Sequence, residues 1–208
     1  MSILFPLIKA WMLGIAIAAP IGPIGMLCIR KTLEFGLLGA IAVGIGAAIA
    51  DSIYGFIVVL GLTIVANFLL EKVIFIKILG GIFLLYLAYK EIKTLPNSTV
   101  NIGKNKALGK LTAEVFFLTL TNPMTILSFI AIFASITSIN RAGSSTVEAF
   151  AMVIGIFLGS MTWWLILGTI VLKIKHKLPG SWINYIRYLS AVILSLFGVM
   201  AVGSGLWR

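Results

Sequence analysis

Between Glu34 and Glu71 the chain carries a single charge, Asp51, in a stretch that is otherwise almost entirely aliphatic, aromatic or small. Few folds can accept such a stretch. About 20 apolar residues, at 1.5 Å each, cross the hydrocarbon core of a bilayer as a helix. A bilayer in turn admits only structures whose backbone polar groups are satisfied internally. The pattern recurs along the whole sequence: the 208 residues are 61% hydrophobic and 11% charged. An ordinary globular domain is about 45–50% apolar and about 25% charged. The chain therefore reads as an all-α integral membrane protein, with residues 1–208 forming one transmembrane domain and nothing left over for a soluble one.

Charges and turn residues separate six expected spans, at about 4–29, 36–62, 73–92, 112–138, 147–172 and 184–206. The first resembles a secretory signal only in being apolar. Its apolar run continues to about Ile29 with Lys9 as the only early charge, whereas a signal has a basic start, a short apolar core and a small-residue cleavage site. It is expected to be retained as a span.

The net charge of +10 does not point to nucleic acid, because the basic residues lie in short loops and do not interleave with exposed aromatics. They act as topology signals and headgroup contacts. Arg30, Lys31, Lys90, Lys93, Lys104, Lys106, Lys110, Lys173, Lys175, Lys177 and Arg187 fall on one side; Lys9, Lys72, Lys77, Arg141 and Arg208 fall on the other. The richer side is expected to be cytoplasmic, which places the long loop at about 93–111 inside and both termini outside. The one cysteine, Cys28, excludes an internal disulfide.

The long loop divides the chain almost in half, and the halves resemble each other. "IKILGGIFLL" at 76–85 aligns with "IRYLSAVILS" at 186–195, and Gly46, Ala50, Asp51 and Tyr54 fall against Gly155, Gly159, Ser160 and Trp163. The first and fourth spans are both broken by proline, at "PIGP" (20–23) and "TNP" (121–123). Three spans is an odd number, so two such units insert with opposite orientation. The expected fold is six transmembrane helices as two inverted three-helix repeats, about 1–92 and about 112–208. Broken helices at matching positions of inverted repeats point to a transporter site at the repeat interface.

The breaks have their own chemistry. Proline lacks an N–H and clashes with the carbonyl four residues earlier, so Pro20, Pro23 and Pro123 should free the carbonyls of Ala16, Ala19 and Thr119. Those carbonyls suit an ammonium or a hydroxyl. The helix restarting at Pro23 presents free N–H groups and a positive dipole end to a carboxylate. Asn122 offers a donor and an acceptor. Asp51 is the only acid deep in any expected span, and a charge there costs enough that it must face protein or water. Burial favours its neutral form and a bound ammonium its ionised form, so one group can exchange a proton for an amine. The expected solute site is Pro20, Gly22, Pro23, Asp51, Tyr54, Asn122 and Pro123, with Asp51 also coupling the proton. The plainer readings are a packing kink without a ligand and a structural carboxylate. Tyr54, Trp163 and Trp164 could line the pathway, although aromatic residues in spans usually pack or anchor. His176 reads as a solvated loop residue.

"PIGPIGMLCIRKTLEFGLLGAIAVGIGAAIADSIYG", "LGGIFLLYLAYKEIK" and "LTNP" together resemble the lysine-exporter (LysE/RhtB) family of amino-acid translocators, in order and over nearly all the chain. There is one departure: the family's compact Pro-Gly-Pro reads Pro20-Ile21-Gly22-Pro23, with a residue added at the break. The resemblance implies a secondary transporter rather than an enzyme. It would export amino acids or similar small amine solutes across the bacterial cytoplasmic (inner) membrane, driven by protons, without cofactor or metal. Its partners would be the solute and membrane lipid, and a homodimer is left open. A divalent-metal exporter would need more oxygen, His or Cys ligands than one Asp and one Asn. A membrane redox carrier would need a cysteine pair, and a structural subunit would leave the paired breaks and Asp51 unexplained. One intramembrane acid suits the single ammonium of a neutral amino acid. Lysine or arginine would gain from a second, which Glu114 would supply if the fourth span began deeper.

Overall fold

The computed structural model describes residues 3–20, 22–59, 68, 71–93, 104–122, 125–129, 146–175 and 182–206. Within them the regular elements are helices: α1 (Leu4–Ala18), α2 (Pro23–Phe35), α3 (Leu37–Val59), α4 (Val73–Lys93), α5 (Lys104–Leu120), α6 (Thr146–Lys175) and α7 (Trp182–Leu206). Residues 125–129 are also helical. Four of these helices are long and apolar enough to cross a membrane: α3, α4, α6 and α7. The pair α1 and α2 makes a fifth if taken as one span, bent by 87° at the break. The protein is a multi-pass membrane protein.

Local chemistry sets the breaks. Pro20 and Pro23 end α1, and α2 restarts with Pro23 in its first turn behind an extended Gly22 (φ −121°, ψ −155°). A proline suits that position because its missing N–H would have no partner there. The turn from α2 to α3 runs through Gly36 at φ 70°, a left-handed backbone that glycine adopts without a Cβ clash.

The fourth span departs from expectation at its start. Helix α5 begins at Lys104, ahead of the expected boundary at about 112. The polar "KNKALGK" is therefore helical, in keeping with the helix propensity of Lys, Ala and Leu. Residues 130–138 of that expected span, like Pro123 and His176, lie outside the described residues, so six spans cannot be counted among the described helices.

Helix α6 is the hub. Along it α1 runs parallel: Gly155 lies over the Leu7 carbonyl, Gly159 over the Trp11 carbonyl, and Trp11 Nε1 donates to Thr162 Oγ1 at 3.2 Å. Helix α3 runs antiparallel to α6, with Gly55 against Ile156, Asp51 against Ser160 and Gly44 against Trp164. Helix α5 runs parallel to α3. Gly46 sits over the Thr112 carbonyl, and Thr112 Oγ1 donates to the Ala42 carbonyl at 3.0 Å. Helices α4 and α7 pair antiparallel through Gly81 and Gly198 and meet the rest mainly where α2 packs on α7. Both expose rows of large apolar side chains, such as Phe75, Leu79, Ile82, Tyr86 and Tyr89 on α4, as a lipid-facing flank would.

The core forms two apolar layers. The larger includes Leu27, Val43, Leu87, Leu111 and Leu167. The smaller holds Ala10, Tyr54, Val58, Ile126, Phe129 and Ile156. Asp51 lies between them: Val43 and Ala47 precede it on α3, and Tyr54 and Val58 follow it. Charges gather at the end of the larger layer. Lys90 of α4 pairs with Glu114 of α5 at 2.5 Å, Lys31 pairs with Glu34 at 2.7 Å, and Lys175 Nζ donates to the Leu33 carbonyl at 2.9 Å.

Candidate functional site

A cavity of about 50 Å³ opens where the two helix breaks face α3 and α6. It is lined by Ile17, Ala18, Pro20, Gly22, Pro23 and Ile24 from the first break, Ala47 and Asp51 from α3, Thr119, Asn122 and Thr125 from the second break, and Trp164 from α6. Of the seven residues expected from sequence, five line this cavity: Pro20, Gly22, Pro23, Asp51 and Asn122. Pro123 lies outside the described residues.

Tyr54 takes a different place. It is not among the lining residues. Its Oη donates to the Leu120 carbonyl at 2.5 Å, and its ring lies 5.4 Å from that of Phe129. Tyr54 thus ties α3 to the last residue of α5, one turn beyond Asp51, and fixes the backbone that leads into Asn122.

Asp51 is 3% exposed. Its Oδ2 accepts a hydrogen bond from Ser160 Oγ at 2.7 Å, and Ser160 Oγ accepts one from Trp164 Nε1 at 3.3 Å. All three residues are buried. A charge at such depth is tolerable only where it is hydrogen-bonded or meets an ion. Asp51 is the one ionisable residue among the described residues of the lining. Glu114 does not join it, being paired with Lys90 instead.

The first break presents a helix start. No side chain caps α2, and its backbone bonding begins with Met26 N–H to the Gly22 carbonyl at 3.1 Å. The second break differs from expectation in one respect. The Thr119 carbonyl is engaged by Asn122 N–H at 3.2 Å and retains one lone pair for a further donor. Thr119 Oγ1 donates to the Val115 carbonyl at 2.9 Å.

Ser160 and Thr125 were not legible as site residues, whereas Thr119 was expected for its backbone carbonyl and Trp164 as one of three aromatic residues that could line the pathway; both line the cavity. A hydroxyl in a span is common and cheap. The one available signal was the alignment of Ser160 with Asp51 between the two halves.

Residues 15–205 match the family described as LysE type translocator. Over 192 residues the chain is 26% identical to a protein of Bacillus subtilis (strain 168) named "Putative amino acid efflux protein YcgF", covering 89% of this chain and 90% of that one. No solved structure matches.

Proposed function

The chain belongs to the LysE type translocator family, and on that premise we propose that it is a proton-coupled secondary exporter of small amino acids with a single ammonium group. The similarity to a protein named for amino acid efflux supports the solute class. The observation that carries the reading is the cavity lined jointly by both helix breaks and Asp51.

Each end of a zwitterion finds a partner there. The uncapped start of α2 at Gly22–Ile24 offers N–H groups and a positive dipole end to the solute carboxylate. Asp51, the Thr119 carbonyl and the Asn122 carboxamide accept from its ammonium. The rest of the lining, Ile17, Ala18, Pro20, Ala47 and Trp164, is largely apolar, with the Thr125 hydroxyl as its one further polar side chain among the described residues. A water-sized group needs about 10–15 Å³, so about 50 Å³ suits the ammonium and carboxylate head of a small amino acid. Among the described lining residues there is no second carboxylate to answer a second ammonium. When the solute leaves, Asp51 takes a proton, and the two occupants alternate on one carboxylate.

Inverted repeats would let one site face either side in turn, and the contact register supports them. Gly46 packs over Thr112, Val115 and Phe116, while Gly155 packs over Leu7, Ala10 and Trp11. The two glycines are aligned positions, and the three pairs 7/112, 10/115 and 11/116 share one offset. We place the protein in the cytoplasmic membrane with both termini outside, because the charged end gathers residues from the arginine- and lysine-rich loops.

The test is reconstitution into vesicles preloaded with labelled amino acids. Small neutral amino acids should leave, faster when the outside is acidified, and lysine should not. No efflux of any of them, or efflux indifferent to the pH difference, would overturn the proposal.

A further inference from the structure

We infer that Ser160 is the positioning residue of the site, the second half's counterpart of Asp51, and that the carboxylate can be supplied from either of the two crossing helices. The inference rests on the reading of Asp51 as the solute-binding carboxylate.

Aligned positions of α3 and α6 run in step, 46 with 155, 50 with 159, 51 with 160 and 54 with 163. The seam itself is antiparallel: Gly55 meets Ile156, Asp51 meets Ser160, and Gly168 meets Ala40. On an antiparallel seam aligned residues separate in both directions, so they can touch at only one level. That level is Asp51 and Ser160, joined at 2.7 Å. The carboxylate therefore stands at the crossing point, where exchanging the two halves returns it to nearly the same place.

The hydrogen bonds have a fixed direction. An indole N–H can only donate and a serine hydroxyl has one proton. Trp164 Nε1 donates to Ser160 Oγ, and an ionised carboxylate can only accept, so the serine proton goes to Asp51 Oδ2. In the ionised state Oδ2 is thereby engaged by Ser160. The exchangeable proton and the solute ammonium compete for Oδ1. No charged side chain of α2, α5 or α6 is among the described residues that line the cavity, and the hydrogen bonds that orient the carboxylate come through Ser160 and Trp164.

The experiment exchanges the two side chains. Initial efflux of a small neutral amino acid from reconstituted vesicles is compared for the parent, Asp51→Ser, Ser160→Asp, the double exchange and Ser160→Ala. Asp51→Ser should lower the rate by about tenfold or more, the size of a lost hydrogen bond to a charged group. Ser160→Asp places two carboxylates together and should also be impaired. The double exchange should recover most of the lost rate. Ser160→Ala removes one oxygen from the core and leaves the Trp164 N–H without its acceptor, so it should still fold with a lowered melting temperature and raise KM by about tenfold. The inference is overturned if the double exchange melts like the parent yet exports no better than Asp51→Ser. It is equally overturned if Ser160→Ala has the parent's KM, and that variant decides should the double exchange not fold. Parent-like efflux from Asp51→Ser would instead remove the reading of Asp51, and this inference with it.

Discussion

Replacing Asp51 by Asn separates binding from coupling. The side chain keeps its size, and the amide oxygen can still accept from Ser160, now 2.7 Å from Asp51 Oδ2. The amide nitrogen then faces the cavity, so a donor meets the solute ammonium where an acceptor stood. A hydrogen bond to a charged partner contributes about 1.5–3 kcal/mol, which corresponds to about 10- to 100-fold in solute affinity. Coupling should be lost outright, because no other described residue of the lining can change charge. The fold should persist, since a neutral amide costs less in a membrane than a carboxylate. The assay has two arms in vesicles preloaded with labelled amino acid: net efflux with the outside acidified, and exchange between equal pools without a pH difference. Asp51→Asn should fail the first and keep slow exchange in the second at high solute concentration. Asp51→Glu should keep part of the net efflux with an altered pH profile. If Asp51→Asn exports as fast as the parent and still responds to the pH difference, the carboxylate is structural and the coupling scheme is refuted.

The remaining predictions concern packing, positioning and topology. A Cβ at Gly159 would strike the Trp11 carbonyl and come within 3.0 Å of Gly14 Cα, so Gly159→Ala should cost about 1–3 kcal/mol and lower the melting temperature. Gly203→Ala, with nothing within 4 Å of the added carbon, should not, and equal melting of the two would refute the packing of α1 on α6. Tyr54→Phe keeps the ring contact with Phe129 but removes the bond to Leu120, worth about 0.5–1.5 kcal/mol; a raised KM with little change in melting is expected, and an unchanged KM would deny Tyr54 its positioning role. A reporter inserted at Asn101 should be cytoplasmic and one fused after Arg208 external. A cytoplasmic C-terminus would remove the inverted repeat.

What was legible in the sequence follows from what is expensive in a membrane. Pro20, Pro23 and Asp51 each impose a cost in lipid that only a protein-lined cavity can relieve, so their presence in apolar runs pointed to one another, and the cavity holds all three. Asn122 was found for the same reason, through the proline that follows it. Ser160 and Trp164 cost little when buried, because one hydroxyl and one indole N–H are easily satisfied, and composition alone could not distinguish them from packing. The start of α5 at Lys104 was missed for the opposite reason: polar residues read as loop, yet beyond the bilayer a helix of Lys, Ala and Leu meets no penalty. Tyr54 shows the limit of reasoning from one helix face. One turn from Asp51 it was expected beside the solute, but its hydroxyl found the Leu120 carbonyl. Sequence therefore locates the groups that must be compensated, whereas the groups that compensate them emerge only from the contact between α3 and α6. A carboxylate positioned by a cheap hydroxyl from the opposite half leaves room for the solute end of the site to vary while the crossing point stays fixed.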